Sequence, residues 1–288
     1  MLRFMRLLLL LLLLPFFNHA QVSFSGKVVE EFTKKPIPYA TIGLIKQNVG
    51  TNANEQGEFT FSCKQPGLDT LIISSIGYIT IRLPVNELRV NNVLTLSVKE
   101  VQLRQVVIKN QWNYSEVGTY RGYQDYCFTS SGYQSQVAKK LTAPVANSLL
   151  QTIDVRTSKY QGGKSIFRVR VYDFDSITKG PGEELTDTSI QVNSKGRVTS
   201  INMTSYKIWL PRNDFFVSIE WLLIPYNEYR FSSKFEGRQK EQLNYNPCIC
   251  FTKDVQSKPV EIWGLAYSGN WYTQKHANGL AISATVMY

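Results

Sequence analysis

Gly50-Thr-Asn-Ala-Asn-Glu-Gln-Gly-Glu-Phe59 is the stretch that decides how the first third of the chain folds. A tight turn here needs a residue that takes positive φ without steric cost, and Gly57 supplies it between two short strands. Working outward, Phe24-Ser-Gly-Lys-Val28 and Pro36-Ile-Pro-Tyr-Ala-Thr41 precede the turn, and Leu71-Ile-Ile-Ser-Ser-Ile-Gly-Tyr78 follows it. Each block is a short apolar strand closed by turn residues. Gly26 is expected just after the first strand. Pro36 and Pro38 suit a strand start or an edge, where no N–H is required. Gly77 lets the chain bend so that Tyr78 packs back. Val93–Leu96 and Val106–Ile108 are the expected last strands, which gives a first β-sandwich over residues 22–109. The polar run Lys109-Asn-Gln-Trp-Asn-Tyr-Ser115 then reads as a linker, placed at 110–119.

Upstream, Arg3 and Arg6, the apolar run Leu7–Leu14 and the small residue in Asn18-His19-Ala20 form a secretory signal pattern, so residues 1–20 are set aside from the fold. The run is shorter than the roughly 20 residues a spanning helix needs. No second long apolar stretch follows, and the mature chain is not expected to be an integral helical membrane protein. Losing the two leader arginines takes the formal net charge from +10 to +8. The remaining Lys and Arg are scattered rather than clustered, which excludes nucleic acid as the expected partner and suits a polyanionic envelope.

Beyond residue 120, short windows alternate apolar and polar, as in Ile166-Phe-Arg-Val-Arg-Val-Tyr172 and Phe215-Phe-Val-Ser-Ile-Glu-Trp221, with turn clusters between them. This pattern argues for an all-β chain, a second and larger jelly-roll-like β-sandwich over 120–288. Gln134–Leu150 is the one stretch that reads as a short helix. Ala281-Ile-Ser-Ala-Thr-Val-Met-Tyr288 reads as the closing strand. Cys63, Cys127, Cys248 and Cys250 are compatible either with buried thiols or with a long bridge from Cys127 to Cys248 or Cys250. On a strand Cys248 and Cys250 face one side, and a bond between them is strained.

On Gly26, Pro36-Ile-Pro-Tyr-Ala40, Gly50-Thr with Gln56-Gly-Glu-Phe59, and Ser75-Ile-Gly-Tyr78, the first region resembles the carboxypeptidase-regulatory-like domain, a transthyretin/Ig-like β-sandwich. The resemblance implies an accessory module without an active site. On Phe167–Asp173, Gly180-Pro-Gly-Glu-Glu-Leu185 and Pro211–Leu222, the second region is similar to the jelly-roll-like domain found behind such modules in exported proteins of Gram-negative bacteria. That family resemblance implies no particular activity.

The chain lacks what a carboxypeptidase needs. A zinc site takes His and Glu ligands, and the mature chain retains only His276. His276 is likewise the only base available to a serine triad, and it lies in a polar turn-like segment. A carbohydrate-active enzyme with paired carboxylates would draw on Asp173, Asp175, Glu220 or Glu261. Asp173, Asp175 and Glu183 surround a Gly-Pro-Gly turn and form the candidate calcium ligands; no other cofactor is expected. Trp271 and Tyr272, flanked by Gly269-Asn270 and Gln274-Lys275, read as an exposed loop and the candidate glycan platform, whereas Trp221 and Trp263 read as core. The expected function is that of an exported, non-catalytic binding or structural protein of the bacterial envelope: periplasmic, outer-membrane-associated or at the surface. Its expected partner is a glycan or an envelope protein. The alternatives are the carbohydrate-active enzyme and an accessory component of an outer-membrane uptake or secretion assembly.

Overall fold

The computed structural model describes residues 21–64, 67–88, 92–100, 111–158, 165–235, 238–253 and 258–288. Val106–Ile108, expected as a last strand, lies outside them. The first sandwich consists of β1 (Gln21–Glu30), β2 (Thr41–Leu44), β3 (Val49–Asn52), β4 (Glu58–Lys64), β5 (Thr70–Ser74), β6 (Ile81–Pro84) and β7 (Asn92–Leu96). Its two sheets run β4-β1-β7 and β3-β2-β5-β6, with β1 and β7 parallel. Val28, Ile42, Leu44, Phe59, Leu71, Ile73 and Leu96 fill the space between them. The decisive turn forms as the sequence requires. Gly57 sits at φ 74°, and a Cβ there would lie 2.5 Å from the Val28 carbonyl oxygen. Asn54 Oδ1 accepts from the N–H groups of Gln56 and Glu58 and closes the loop. Gly26, however, sits within β1 rather than after it. Its Cα faces Phe59 across the ladder, where a side chain would meet the ring.

The second sandwich begins with β8 (Tyr114–Thr119), β9 (Gly122–Ser130), β10 (Gln134–Thr142), β11 (Ser148–Ser158), β12 (Ile166–Phe174), β13 (Pro181–Glu184), β14 (Ile190–Asn193) and β15 (Val198–Asn202). It continues with β16 (Trp209–Leu210), β17 (Asp214–Trp221), β18 (Glu228–Phe235), β19 (Arg238–Thr252), β20 (Val260–Ala266), β21 (Trp271–His276) and β22 (Ile282–Met287). One sheet runs β13-β12-β17-β10-β20-β21, with β14 also on β12. The other runs β18-β19-β11-β22-β8, with β15 and β16 on β11 and β9 on β19. The all-β class read from the alternation is what the structure shows.

Two expectations are corrected. Gln134–Leu150 is not a helix but β10, a turn, and the start of β11. β10 is hydrogen-bonded to β17 on one side and β20 on the other, and these ladders override the local helix preference. Residues 114–119 are not linker. They form β8 along β22, with Val117 packed on the core.

β12 and β17 position everything that follows. Phe167, Val169 and Val171 on one strand and Phe215, Val217, Ile219 and Trp221 on the other point into the core. The intervening residues Arg168, Arg170, Tyr172, Phe216, Ser218 and Glu220 therefore point out of the opposite face. That face is also covered: Tyr39 and Thr41 of the first sandwich meet it at Arg168 and Glu220, and Trp263 and Trp271 of the second cover Tyr172 and Phe216. Cys127 and Cys250, partners across β9 and β19, form a disulfide. Cys63 is a buried thiol, and the Cys248 sulfur lies 3.5 Å from Tyr229 Oη.

Candidate binding cleft between the two sandwiches

The junction is built from polar groups that the strand geometry leaves no alternative but to pair. The Arg168 and Glu220 side chains are each only 1% exposed, and Arg168 Nη2 donates to Glu220 Oε1 at 2.9 Å. The same nitrogen donates to the Tyr39 carbonyl at 2.7 Å, and Thr41 Oγ1 donates to Glu220 Oε1 at 3.0 Å. One ion pair of the second sandwich is thus completed by two groups of the first. Around it, Leu223 N–H donates to Asn52 Oδ1 and Tyr267 N–H to Asn48 Oδ1, both at 2.8 Å. Tyr267 packs against Gly43 and Gly50. A Cβ at Gly43 would lie 3.0 Å from the ring's Cδ1, so these two glycines set how closely the sandwiches meet.

Arg170 extends the network toward solvent. Its guanidinium forks onto Glu184, with Nε to Oε1 at 2.7 Å and Nη2 to Oε2 at 2.5 Å. Its Nη1 lies 3.5 Å from Glu220 Oε2, an ion-pair contact without hydrogen-bond geometry. Thr186 Oγ1 also donates to Glu184. Burial pulls the Arg168 guanidinium below its usual value, with Glu220 opposing. At Arg170 burial acts in the same sense, but Tyr172, Glu184 and Glu220 outweigh it and hold the charge firmly. Both side chains are cations at any ordinary pH. Burial also pushes the Tyr172 phenol well up, so it stays neutral and donates to Gln136 Oε1.

Above this base opens a cleft of about 900 Å³, within the roughly 300–1,000 Å³ typical of ligand sites. The first sandwich contributes the turn Ser74–Tyr78 with Lys99 and Glu100, and the second contributes Glu183–Asp187 and Tyr206–Trp209. Arg170 forms part of the floor. Gly77, at φ 80°, brings its backbone against the Asp187 carbonyl. Lys207 takes φ 50°, turning the chain between Tyr206 and Trp209. Trp209 is braced by Trp112, ring centroids 6.1 Å apart. The cleft is therefore lined by half-buried aromatic residues beside charges of both signs.

The residues singled out from sequence lie elsewhere, with one exception. Trp271 and Tyr272 are not in a loop but on β21, opposite Leu265 and Gly264. Trp271 packs edge-on to Tyr172 at 5.3 Å, and Tyr272 Oη donates to Gln134 Oε1 at 2.6 Å. The turn residues Gly269-Asn270 belong to the hairpin that precedes them, which made the strand look like loop. Asp173, Asp175 and Glu183 do not converge. Asp175 caps its own turn through Ile177 N–H and Thr178 Oγ1, Asp173 meets Arg212 at 3.2 Å, and Glu183 faces the cleft. Among the described residues no group of three or more acidic, His or Cys side chains is placed to hold a metal. Glu220 is locked by Arg168, and Glu261 lies on β20, a strand that is not its neighbour in the sheet. His276 ends β21, stacked on Phe251 at 4.4 Å. Arg168 and Arg170 carried a legible signal: two arginines alternating with core residues on a strand. Tyr206 and Trp209 carried none, because the cleft gathers five separate segments.

Residues 24–108 match the CarboxypepD_reg-like domain family. No curated protein matches the chain. Among solved structures, the major pilin subunit of Bacillus cereus is similar at 8% identity, covering 91% of this chain and 69% of that one, with a TM-score of 0.18. A structure of infectious bursal disease virus, strain Gx, is similar at 10% identity, covering 93% and 63%, with a TM-score of 0.20. Scores this low carry no argument about fold or function. Residues 24–108 are therefore a carboxypeptidase-regulatory-like domain, joined to a second, larger β-sandwich.

Proposed function

We propose that this chain is an exported, non-catalytic protein of the bacterial envelope that binds a saccharide in the cleft between its two sandwiches. The cleft carries the proposal: the half-buried Tyr78, Tyr206 and Trp209 line it, and Lys99, Lys207, Glu183 and Asp187 offer donors and acceptors around them. Sugars are recognised by that combination of apolar faces and directional polar groups. Carboxypeptidase-regulatory-like domains are non-catalytic, and here the domain supplies a wall of the cleft. The leader and the Cys127–Cys250 disulfide support an oxidising, extracytoplasmic compartment. A second reading, docking of an envelope protein such as a component of an uptake or secretion assembly, is favoured by Ile79 and Val98. Both are more than half exposed, next to the cleft residues Tyr78 and Lys99.

A glycan array probed with residues 21–288 tests the proposal. Binding that Tyr206→Ala/Trp209→Ala abolishes, and that Trp271→Ala/Tyr272→Ala leaves in place, is the expected result. Silence from folded protein across the array contradicts it and moves the weight to protein docking.

A further inference from the structure

A second cavity, independent of the cleft, opens at one end of the second sandwich between its two sheets. It measures about 410 Å³ and is lined by Val260, Ile262, Trp263 and Leu280, with Lys139 among them. Lys139 is unusual in position. It follows Val137 and precedes Leu141 on the core-facing side of β10, both of them buried in the core. A cation in such a place is ordinarily matched by a carboxylate. Here, among the described residues, no carboxylate lies within ion-pair distance of it. Its ammonium instead donates to backbone carbonyls of the opposite sheet: Leu280 and Ile282, both at 2.7 Å, and Thr119 at 3.3 Å. Two of these bonds are short. The third is long, and its proton is the one an incoming acceptor would take.

We infer that this end cavity binds a small amphiphilic carboxylate, its apolar tail between the sheets against Val260, Ile262 and Leu280 and its carboxylate on Lys139. The cavity is at the lower end of the size range of small-molecule sites, which fits a medium-length acyl chain rather than a folded polymer. Lys140, beside it, is held by Asp214 at 3.3 Å and lies over the Phe174 ring. Glu261, also on the lining, is exposed and sits opposite Lys275 across the β20–β21 ladder. Lys139 is thus the cation left to meet an anion inside the cavity. Burial lowers the Lys139 pKa to about 8. The amine therefore remains mostly protonated at neutral pH and gains from a counter-ion.

Isothermal titration of residues 21–288 with octanoate, and separately with octanol, is the test. Saturable octanoate binding is expected, with octanol at least tenfold weaker. In Lys139→Met octanoate binding is expected to fall to the octanol level, and Ile262→Trp, which fills the cavity, is expected to weaken both. No saturable octanoate binding by the folded native chain overturns the inference. So does equal affinity for octanoate and octanol, a comparison that needs no variant to fold. Undiminished octanoate binding by a folded Lys139→Met also overturns it.

Discussion

Replacing Glu220 by leucine probes the junction where it is most exacting. The substitution leaves the Arg168 guanidinium, 1% exposed, with the Tyr39 carbonyl as its remaining partner, and takes the acceptor from Thr41 Oγ1. Arg170 is less affected, because its fork onto Glu184 survives. Removing one partner of a buried ion pair costs about 3–5 kcal/mol, since the loss is that of an uncompensated charge rather than of one attraction. Against a total stability of about 5–15 kcal/mol, this is a large fraction. Arg168→Met alone should cost less, because Glu220 keeps Thr41 and the nearby Arg170. The double substitution Arg168→Met/Glu220→Leu removes both charges and should recover most of the loss, as apolar replacements of buried pairs commonly do. Urea unfolding followed by far-UV dichroism measures all three against the native chain. A Glu220→Leu loss under about 1 kcal/mol, or a double variant as unstable as the sum of the singles, would refute the reasoning.

Other consequences can be measured in the same way. Lys139 titrates at about 8 when folded and near 10.5 otherwise. Between those values the unfolded chain holds a proton that the folded chain lacks, so this group makes stability rise with pH, by up to about 1.4 kcal/mol per pH unit. Burial pushes Tyr39 and Tyr245 up to about 12, and they work in the opposite direction above pH 10. Melting curves of native protein and Lys139→Met from pH 7.5 to 9.5 should therefore diverge, with the rise confined to the native chain. Gly57→Ala forces a side chain into positive φ and against the Val28 carbonyl, and should lower stability by about 1–2 kcal/mol or more in urea unfolding. Cys127→Ser/Cys250→Ser opens a link between residues 123 apart in sequence and should cost about 2–5 kcal/mol, measured as a lowered denaturation midpoint.

β1, β4 and β5 were legible because each block carried its own stop, whereas Pro36–Ala40, read as a strand, is a bridge and a turn leading into β2. Gly57 and Gly77 adopt the positive φ that only glycine takes easily, and the apolar residues between them have nowhere to go but a core. The closing strand was legible from alternation, and the buried positions of Trp221 and Trp263 from their apolar neighbours. β10 and β8 were not, because their state is decided by neighbours more than seventy residues away. Gln134–Thr142 becomes a strand when β17 and β20 close on it, and Tyr114–Thr119 does so when β22 arrives. Trp271 and Tyr272 were misread for a related reason: a turn signal at Gly269 was extended into the strand it starts. The cleft was hidden most completely. Its walls come from both sandwiches, and only the alternation of Arg168 and Arg170 with core residues hinted that the outer face of β12 is covered.

Hydrogen–deuterium exchange on residues 21–288, alone and with oligosaccharides released from bacterial envelope material, tests the central claim most directly. The account predicts added protection at 74–78, 183–187 and 206–209, the walls of the cleft, and little change along β21. Protection confined to 271–276, or none at the cleft walls under conditions where the oligosaccharides bind, would contradict it.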